Sequence, residues 1–207
     1  MKSVFIGGCD RSGTTFLASM LGASEATIVT PESQFKVDFL YRENVFKTES
    51  IWRLKLWGID KQVINTIYSN SSTRADFIEG LVSAYARTHG FKCDTEKVWV
   101  DHTPSNLMYA NSLIQAFPES KFIHIIRDGR AVAASVLPLE WGPNDIVSCA
   151  DWWLKKISHG LALNNFDSSR VLIVKYEDLI ENSEEQLRRI CSFVDISYCE
   201  KMLQGTG

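Results

Sequence analysis

The residues best suited to chemistry sit in short polar stretches at the ends of apolar runs, and GCDRSGTT at positions 8–15 is the first of them. It follows the run SVFIGG and precedes TTFLASMLGA, where Phe16, Leu17, Met20 and Leu21 recur at helical spacing. Gly8 and Gly13 allow a strand-to-helix turn to curl around an anion, and the helix behind it points its N-terminal amides at the same place. Arg11 adds a charged fork, and Thr14 and Thr15 add hydroxyl donors. The outline is that of the phosphate-binding loop G-x-x-x-x-G-K-[ST], but Thr14 stands where that loop has its lysine. The lysine reaches the β- and γ-phosphates of a nucleoside triphosphate, so its absence argues for a different phosphate ester. A kinase using ATP and Mg²⁺ stays open, with Asp101 at the end of an apolar run as the metal-holding aspartate.

Such groups need elements to position them. Apolar runs at 3–8, in ATIVTPES (stopped by Pro31), and at 97–104, 121–129 and 170–179 read as strands. The first, fourth and fifth are almost continuously Val, Ile and Phe, the pattern of strands buried on both faces of a parallel sheet. Helical patterns lie within 33–69, with Trp52, Leu54, Leu56 and Trp57 as an apolar patch, and at 73–90, 105–117 and 144–165. NSEEQLRRICSFV places Ser183 and Gln186 at capping-box spacing. The expectation is one α/β domain of P-loop type over residues 1–207, with a central, mostly parallel sheet of about five strands flanked by helices. In such sheets ligands sit beyond the carboxyl ends of the strands, which directs attention to 8–15, 30–32, 101–106, 127–130 and 176–178.

Composition narrows the partners. With 207 residues, 45% hydrophobic, 23% charged and a net charge of −3, the chain has no global basic field, so nucleic acid is not the expected partner. Cys9, Cys93, Cys149, Cys191 and Cys199 lack C-x-x-C spacing and read as reduced thiols. His89, His124 and His159 read as structural, and no pair of histidines has metal-ligand spacing, so no metal is expected. No apolar run reaches the roughly 18 residues of a spanning helix. MKSVFIGG is too short before its glycines for a signal peptide. A cytoplasmic location is expected, and a homodimer stays open.

These stretches carry a family resemblance. DRSGTTFLASML resembles the 5′-phosphosulfate loop of sulfotransferases that use 3′-phosphoadenosine-5′-phosphosulfate (PAPS), especially the Golgi-type, tyrosylprotein sulfotransferase-like branch with R-S-G-T-T. Asp10 stands where these enzymes often have proline. KFIHIIRDGRAVAAS is similar to their 3′-phosphate motif, with Arg127 closing the strand and Ser135 eight residues on, and VKYEDLI resembles the strand whose tyrosine, here Tyr176, touches the cofactor. The motifs run in the family's order over nearly the whole chain. The resemblance implies that Arg11, Ser12, Gly13, Thr14 and Thr15 hold the 5′-phosphosulfate, and that Arg127 and Ser135 hold the 3′-phosphate. A sulfuryl group carries less negative charge than a γ-phosphoryl group, so arginine, hydroxyls and amides can meet it without lysine or metal. Arg127 has the alternative of an ion pair with Asp128.

Transfer to a hydroxyl needs a general base. Glu32, in TPES, matches in spacing the glutamate base of the tyrosylprotein enzymes; the alternative is a cap for a helix starting near Ser33. His102, in VDHTPSN, falls where the family has a sulfuryl-stabilising lysine, so it reads as base, donor or structural histidine. Of Trp152 and Trp153, one is expected to pack inward and the other to line a groove, and Trp141 and Gly142 to border the acceptor opening. The acceptor class stays open among small molecules, sugars, lipids and peptides. Relatives continue past the point where this chain ends in CEKMLQGTG, which leaves open the absence of a C-terminal cofactor-covering segment. A non-catalytic module binding the product nucleotide, adenosine 3′,5′-bisphosphate (PAP), is the further alternative.

Overall fold

A computed structural model describes residues 1–41, 46, 49–91 and 97–205. Its centre is a five-stranded sheet built from β1 (Lys2–Gly8), β2 (Thr27–Val29), β3 (Val98–Asp101), β4 (Lys121–Ile126) and β5 (Val171–Lys175). The spatial order is β2-β3-β1-β4-β5, and every pairing is parallel. The expected strands all form, each within a few residues of its sequence pattern.

Alternation across the strands explains how the sheet buries both faces. Phe5, Trp99 and Phe122 point to one side, where they meet helix α2 (Phe35–Tyr41) and helix α5 (Arg74–Thr88) in a core rich in aromatic rings. Val4, Ile6, Ile123 and Ile125 point to the other, against helix α1 (Thr14–Gly22) and a late helix at Ser183–Val194. The register pairs Phe5 with Phe122 and Ile6 with Ile123, so like faces align across β1 and β4. Between α2 and α5 lie α3 (Arg53–Leu56) and α4 (Lys61–Asn70); α6 (Ala110–Ala116), α7 (Gly129–Val136), α8 (Ile146–Phe166), α9 (Tyr176–Glu181) and α10 (Ser183–Val194) complete the helical layers.

Local details depart from expectation in instructive ways. The patch at 52–57 splits, with Leu54 and Trp57 buried and Trp52 and Leu56 exposed. One short turn of helix can turn only one side to the core. The Ser183 capping box does not form; Ser183 Oγ donates instead to the Leu179 carbonyl of α9, because α10 follows α9 almost without a break. A capping box does form at Thr73 and Asp76, which receive each other's backbone N–H groups at 3.0 and 2.8 Å. The stretch 105–117 divides into a 3-10 turn at Pro104–Tyr109 and then α6. Parts of the helical reading at 42–45 and 47–48, and Cys93, lie outside the described residues. The other cysteines are free thiols.

His124 lies in the middle of β4, fully buried, with neither ring nitrogen bonded. Only a glycine at position 160 lets α8 lie against it, since a Cβ there would stand 2.2 Å from its Nδ1. Burial lowers its pKa from 6.5 to about 4. Between those values the unfolded chain holds the extra proton, so stability is fully present above the window and falls as pH drops through it. The gap corresponds to on the order of 3 kcal/mol. Denaturant titrations at pH 7 and pH 4 should show that loss, and His124→Leu should remove most of it. An unchanged pH slope in the variant would place the acid sensitivity elsewhere.

Candidate active site

The strand order creates the site. From β1 the chain builds outward to β3 and β2 on one side and to β4 and β5 on the other, which leaves a crevice beyond the carboxyl ends of the central strands. A cleft of about 820 Å³ lies there. Arg11 and Gly13 line it from the loop after β1, Thr14 and Thr15 from the start of α1, Arg127 from just beyond β4, and Tyr176 from the start of α9, just beyond β5. Glu32 and Trp141 line it from other loops. Residues far apart in sequence therefore share one wall.

The loop between β1 and α1 is built on two left-handed residues, Arg11 (φ 69°) and Gly13 (φ 97°). Gly13 is required twice over. Its φ suits glycine, and an added Cβ would stand 2.5 Å from the Tyr176 ring. Arg11 has no such licence, and a left-handed arginine is a strained residue held by its surroundings. Its carbonyl accepts from Arg127 Nη1 at 2.9 Å, and its own Nε donates to Ser135 Oγ at 3.0 Å. Asp10 is tied to Lys156 of α8 at 3.1 Å. The loop is thus anchored to α7, α8 and the end of β4. Cys9, buried beneath it, is no nucleophile: burial, and after it the nearby Asp10 carboxylate, pushes the thiol up to about 12. Ser12 is buried and its hydroxyl lies off the cleft.

Arg127 makes no pair with Asp128, whose carboxylate is taken by Arg130. Its guanidinium instead lies over the Tyr176 ring, 4.5 Å from the centroid, and its Nε–H has no acceptor. The turn after it is clamped twice. Trp153 Nε1 donates to the Arg127 carbonyl at 3.1 Å, and the Asp128 N–H donates to Glu177 Oε1 at 3.0 Å. Both Trp152 and Trp153 pack, half-buried, against Cys9, Val132 and Val136, so packing is shared by the two and not divided between them. Trp153 also borders a separate apolar groove on α7 and α8. Ser135 reaches the site only through its bond to Arg11.

Across the cleft, Glu32 Oε2 accepts from Gln34 Nε2 at 3.0 Å. Glu32 is no helix cap, because the helix begins at Phe35 and the Ser33 N–H goes to Asp101 Oδ2 at 3.0 Å. Asp101 is equally unavailable as a metal ligand. It is fully buried, and its carboxylate is held by Lys36 Nζ, Ser33 N, Thr103 N and Asn106 Nδ2. Solvation loss alone would raise that carboxyl, but Lys36 and the hydrogen bonds hold it well below the usual range. His102 is buried beside it, with Nδ1 unpaired, and does not line the cleft. Gly142 packs on Val136, while Trp141 faces the opening. Among the described residues no group of His, Cys, Asp or Glu is placed to hold a metal ion.

Arg53, Gln34 and Pro104 also line the cleft, and the first two were not foreseen. Arg53 stacks on exposed Trp52 at 4.9 Å. Its neighbours in sequence are apolar and charged residues of an ordinary amphipathic turn, so nothing local marks it. Pro104 lies inside a stretch already singled out.

Comparison with known proteins places this arrangement. The family model described as "Sulfotransferase family" matches residues 3–200. Protein-tyrosine sulfotransferase A of Caenorhabditis elegans is 30% identical over 97% of this chain, which covers 51% of that protein. A protein-tyrosine sulfotransferase of Drosophila melanogaster is 27% identical over 98% of this chain and 40% of its own length. The chain thus spans about half the length of these curated relatives. Among solved structures, the sulfotransferase domain of the Synechococcus PCC 7002 olefin synthase superposes with a TM-score of 0.74 at 22% identity, over 98% of this chain and 76% of that one. That likeness establishes a shared fold.

Proposed function

This chain belongs to the sulfotransferase family, and from that membership we propose that its cleft moves a sulfuryl group from PAPS to a hydroxyl acceptor, releasing PAP. The observation that carries the reading is the meeting of Arg11 and Arg127, from the ends of adjacent strands, in one cleft that also holds Glu32. Both arginines line the cleft, and Arg11 Nε holds only a neutral hydroxyl there, a weak partner that an anion can outcompete. A mouse sulfotransferase solved with PAP shares the fold at a TM-score of 0.53 and 14% identity.

In this reading the amides at the start of α1, with Thr14 and Thr15, hold the 5′ end of the nucleotide, and Arg127 holds the 3′-phosphate. PAPS supplies a sulfuryl group whose bridging S–O bond breaks as the acceptor oxygen bonds to sulfur. Glu32 accepts the acceptor's proton, and Arg11 meets the negative charge left on the departing phosphate oxygen. His102, buried off the cleft, is left as a structural histidine. The curated relatives make a tyrosine phenol the first acceptor to test.

Sulfuryl transfer from labelled PAPS to a tyrosine peptide and to a panel of small alcohols and sugars tests the reading, with ATP and Mg²⁺ run in parallel. Transfer from PAPS alone is expected. Phosphoryl transfer from ATP would support the kinase alternative, and PAP binding without any transfer would leave a binding module.

A further inference from the structure

The geometry points to the buried Lys36–Asp101 pair as the device that fixes the Glu32 segment in the cleft, a positioning element for proton removal. The inference rests on the role given to Glu32 above.

Residues 30–34 connect β2 to α2 and belong to neither. They are held on both sides of Glu32. Before it, the Thr30 N–H donates to the Val100 carbonyl at 3.2 Å, and Trp99 Nε1 donates to Thr30 Oγ1 at 3.0 Å. After it, the Ser33 N–H and Lys36 Nζ donate to the two oxygens of Asp101, at 3.0 and 2.9 Å. Asp101 is itself immobile, because its Oδ1 also accepts from the Thr103 N–H at 3.1 Å and from Asn106 Nδ2 at 2.9 Å. Asn106 Nδ2 reaches on to the Ile6 carbonyl of β1 at 2.8 Å. One polar knot therefore ties the Glu32 segment to the strand that delivers the phosphate loop.

Stability does not account for this pair. Lys36 and Asp101 side chains are only 2% and 0% exposed, and well-packed apolar residues in place of such a pair are often neutral or stabilising. What apolar residues cannot supply is a fixed acceptor for the Ser33 amide next to Glu32. Burial pushes the Lys36 ammonium toward losing its proton, while Asp101 pulls the other way, in accord with a pair that must be kept together.

The test removes both charges and the acceptor at once, Lys36→Met with Asp101→Leu, which leaves the Ser33 N–H without its partner and strands no buried ion. The variant should bind PAP within about twofold of the parent. Its kcat should fall by about 10²-fold, the scale of a misplaced catalytic group. Amide exchange should quicken over 30–34 while β1 and β4 stay protected. Made in a Glu32→Gln background, the same substitutions should cost little more, because a misplaced base and a missing one are equivalent. A merely structural role would lower both backgrounds by the same factor, and that result, or an undiminished kcat, would overturn the inference. Asp101→Glu keeps the pair charged while displacing the acceptor for Ser33, and serves the same cycle if the double variant does not fold. Failure of the sulfotransferase reading is separate, since it shows as no transfer by the unsubstituted protein. In that case exchange over 30–34 decides, and unchanged protection there overturns the positioning role.

Discussion

Replacing Arg11 with alanine should lower kcat/KM for sulfuryl transfer by about 10²–10³-fold, the usual effect of losing one preorganised donor to a developing oxyanion. Several observations converge on this residue. It lines the cleft, its φ of 69° is one that arginine rarely adopts, and its carbonyl and Nε are both bonded, to Arg127 and Ser135. Strain of this kind persists where the surroundings over-determine it, and it is common at binding sites. A second substitution separates strain from function. Arg11→Gly relieves the left-handed backbone and should raise unfolding free energy by about 1 kcal/mol, yet it should lose as much activity as the alanine variant. Denaturant titration beside steady-state kinetics checks both halves. An alanine variant that keeps its activity would remove Arg11 from the transfer step.

Glu32→Gln should reduce kcat by about 10²–10⁴-fold, the range for loss of a general base, while PAP affinity changes by no more than about twofold. The substitution keeps the shape of the side chain, and the new amide oxygen can still accept from Gln34 Nε2, as Glu32 Oε2 does at 3.0 Å. The backbone beside it is held by Asp101 and does not depend on the carboxylate. The split between turnover and nucleotide binding is the informative result. Equal losses in both would show that Glu32 supports the cleft and does not take the proton.

Local pattern in the sequence carried the strands and the loop well, because those signals are local. Glycines at 8 and 13, Arg127 closing a run of Ile and Phe, and Tyr176 closing another are all read from neighbours in the chain. The strand order was not legible, yet it is the order β3-β1-β4-β5 that brings Arg11, Arg127 and Tyr176 to one crevice. Long-range polar pairing was hidden for the same reason. Lys36 and Asp101 are 65 residues apart, and each looks unremarkable in its own stretch. Asp101 kept the kinase alternative open because the end of an apolar strand is where a metal-holding aspartate sits, and only packing shows its oxygens already occupied. Ser135 illustrates an intermediate case: its spacing from Arg127 marked it, but the structure connects it to Arg11. Arg53 reaches the cleft from a short helix whose sequence reads as an ordinary amphipathic turn.

Two anion pockets at opposite ends of one adenylate are central to the proposed reaction, and calorimetry with PAP and with adenosine 5′-phosphate tests them most directly. The unsubstituted protein should prefer PAP by about tenfold to a hundredfold, the weight of charge-assisted hydrogen bonds to the 3′-phosphate. Arg127→Ala should weaken both nucleotides, through the lost bond to the Arg11 carbonyl, and erase the preference between them. A preference that survives in Arg127→Ala, or one that is missing from the unsubstituted protein, would contradict the assignment of the second pocket.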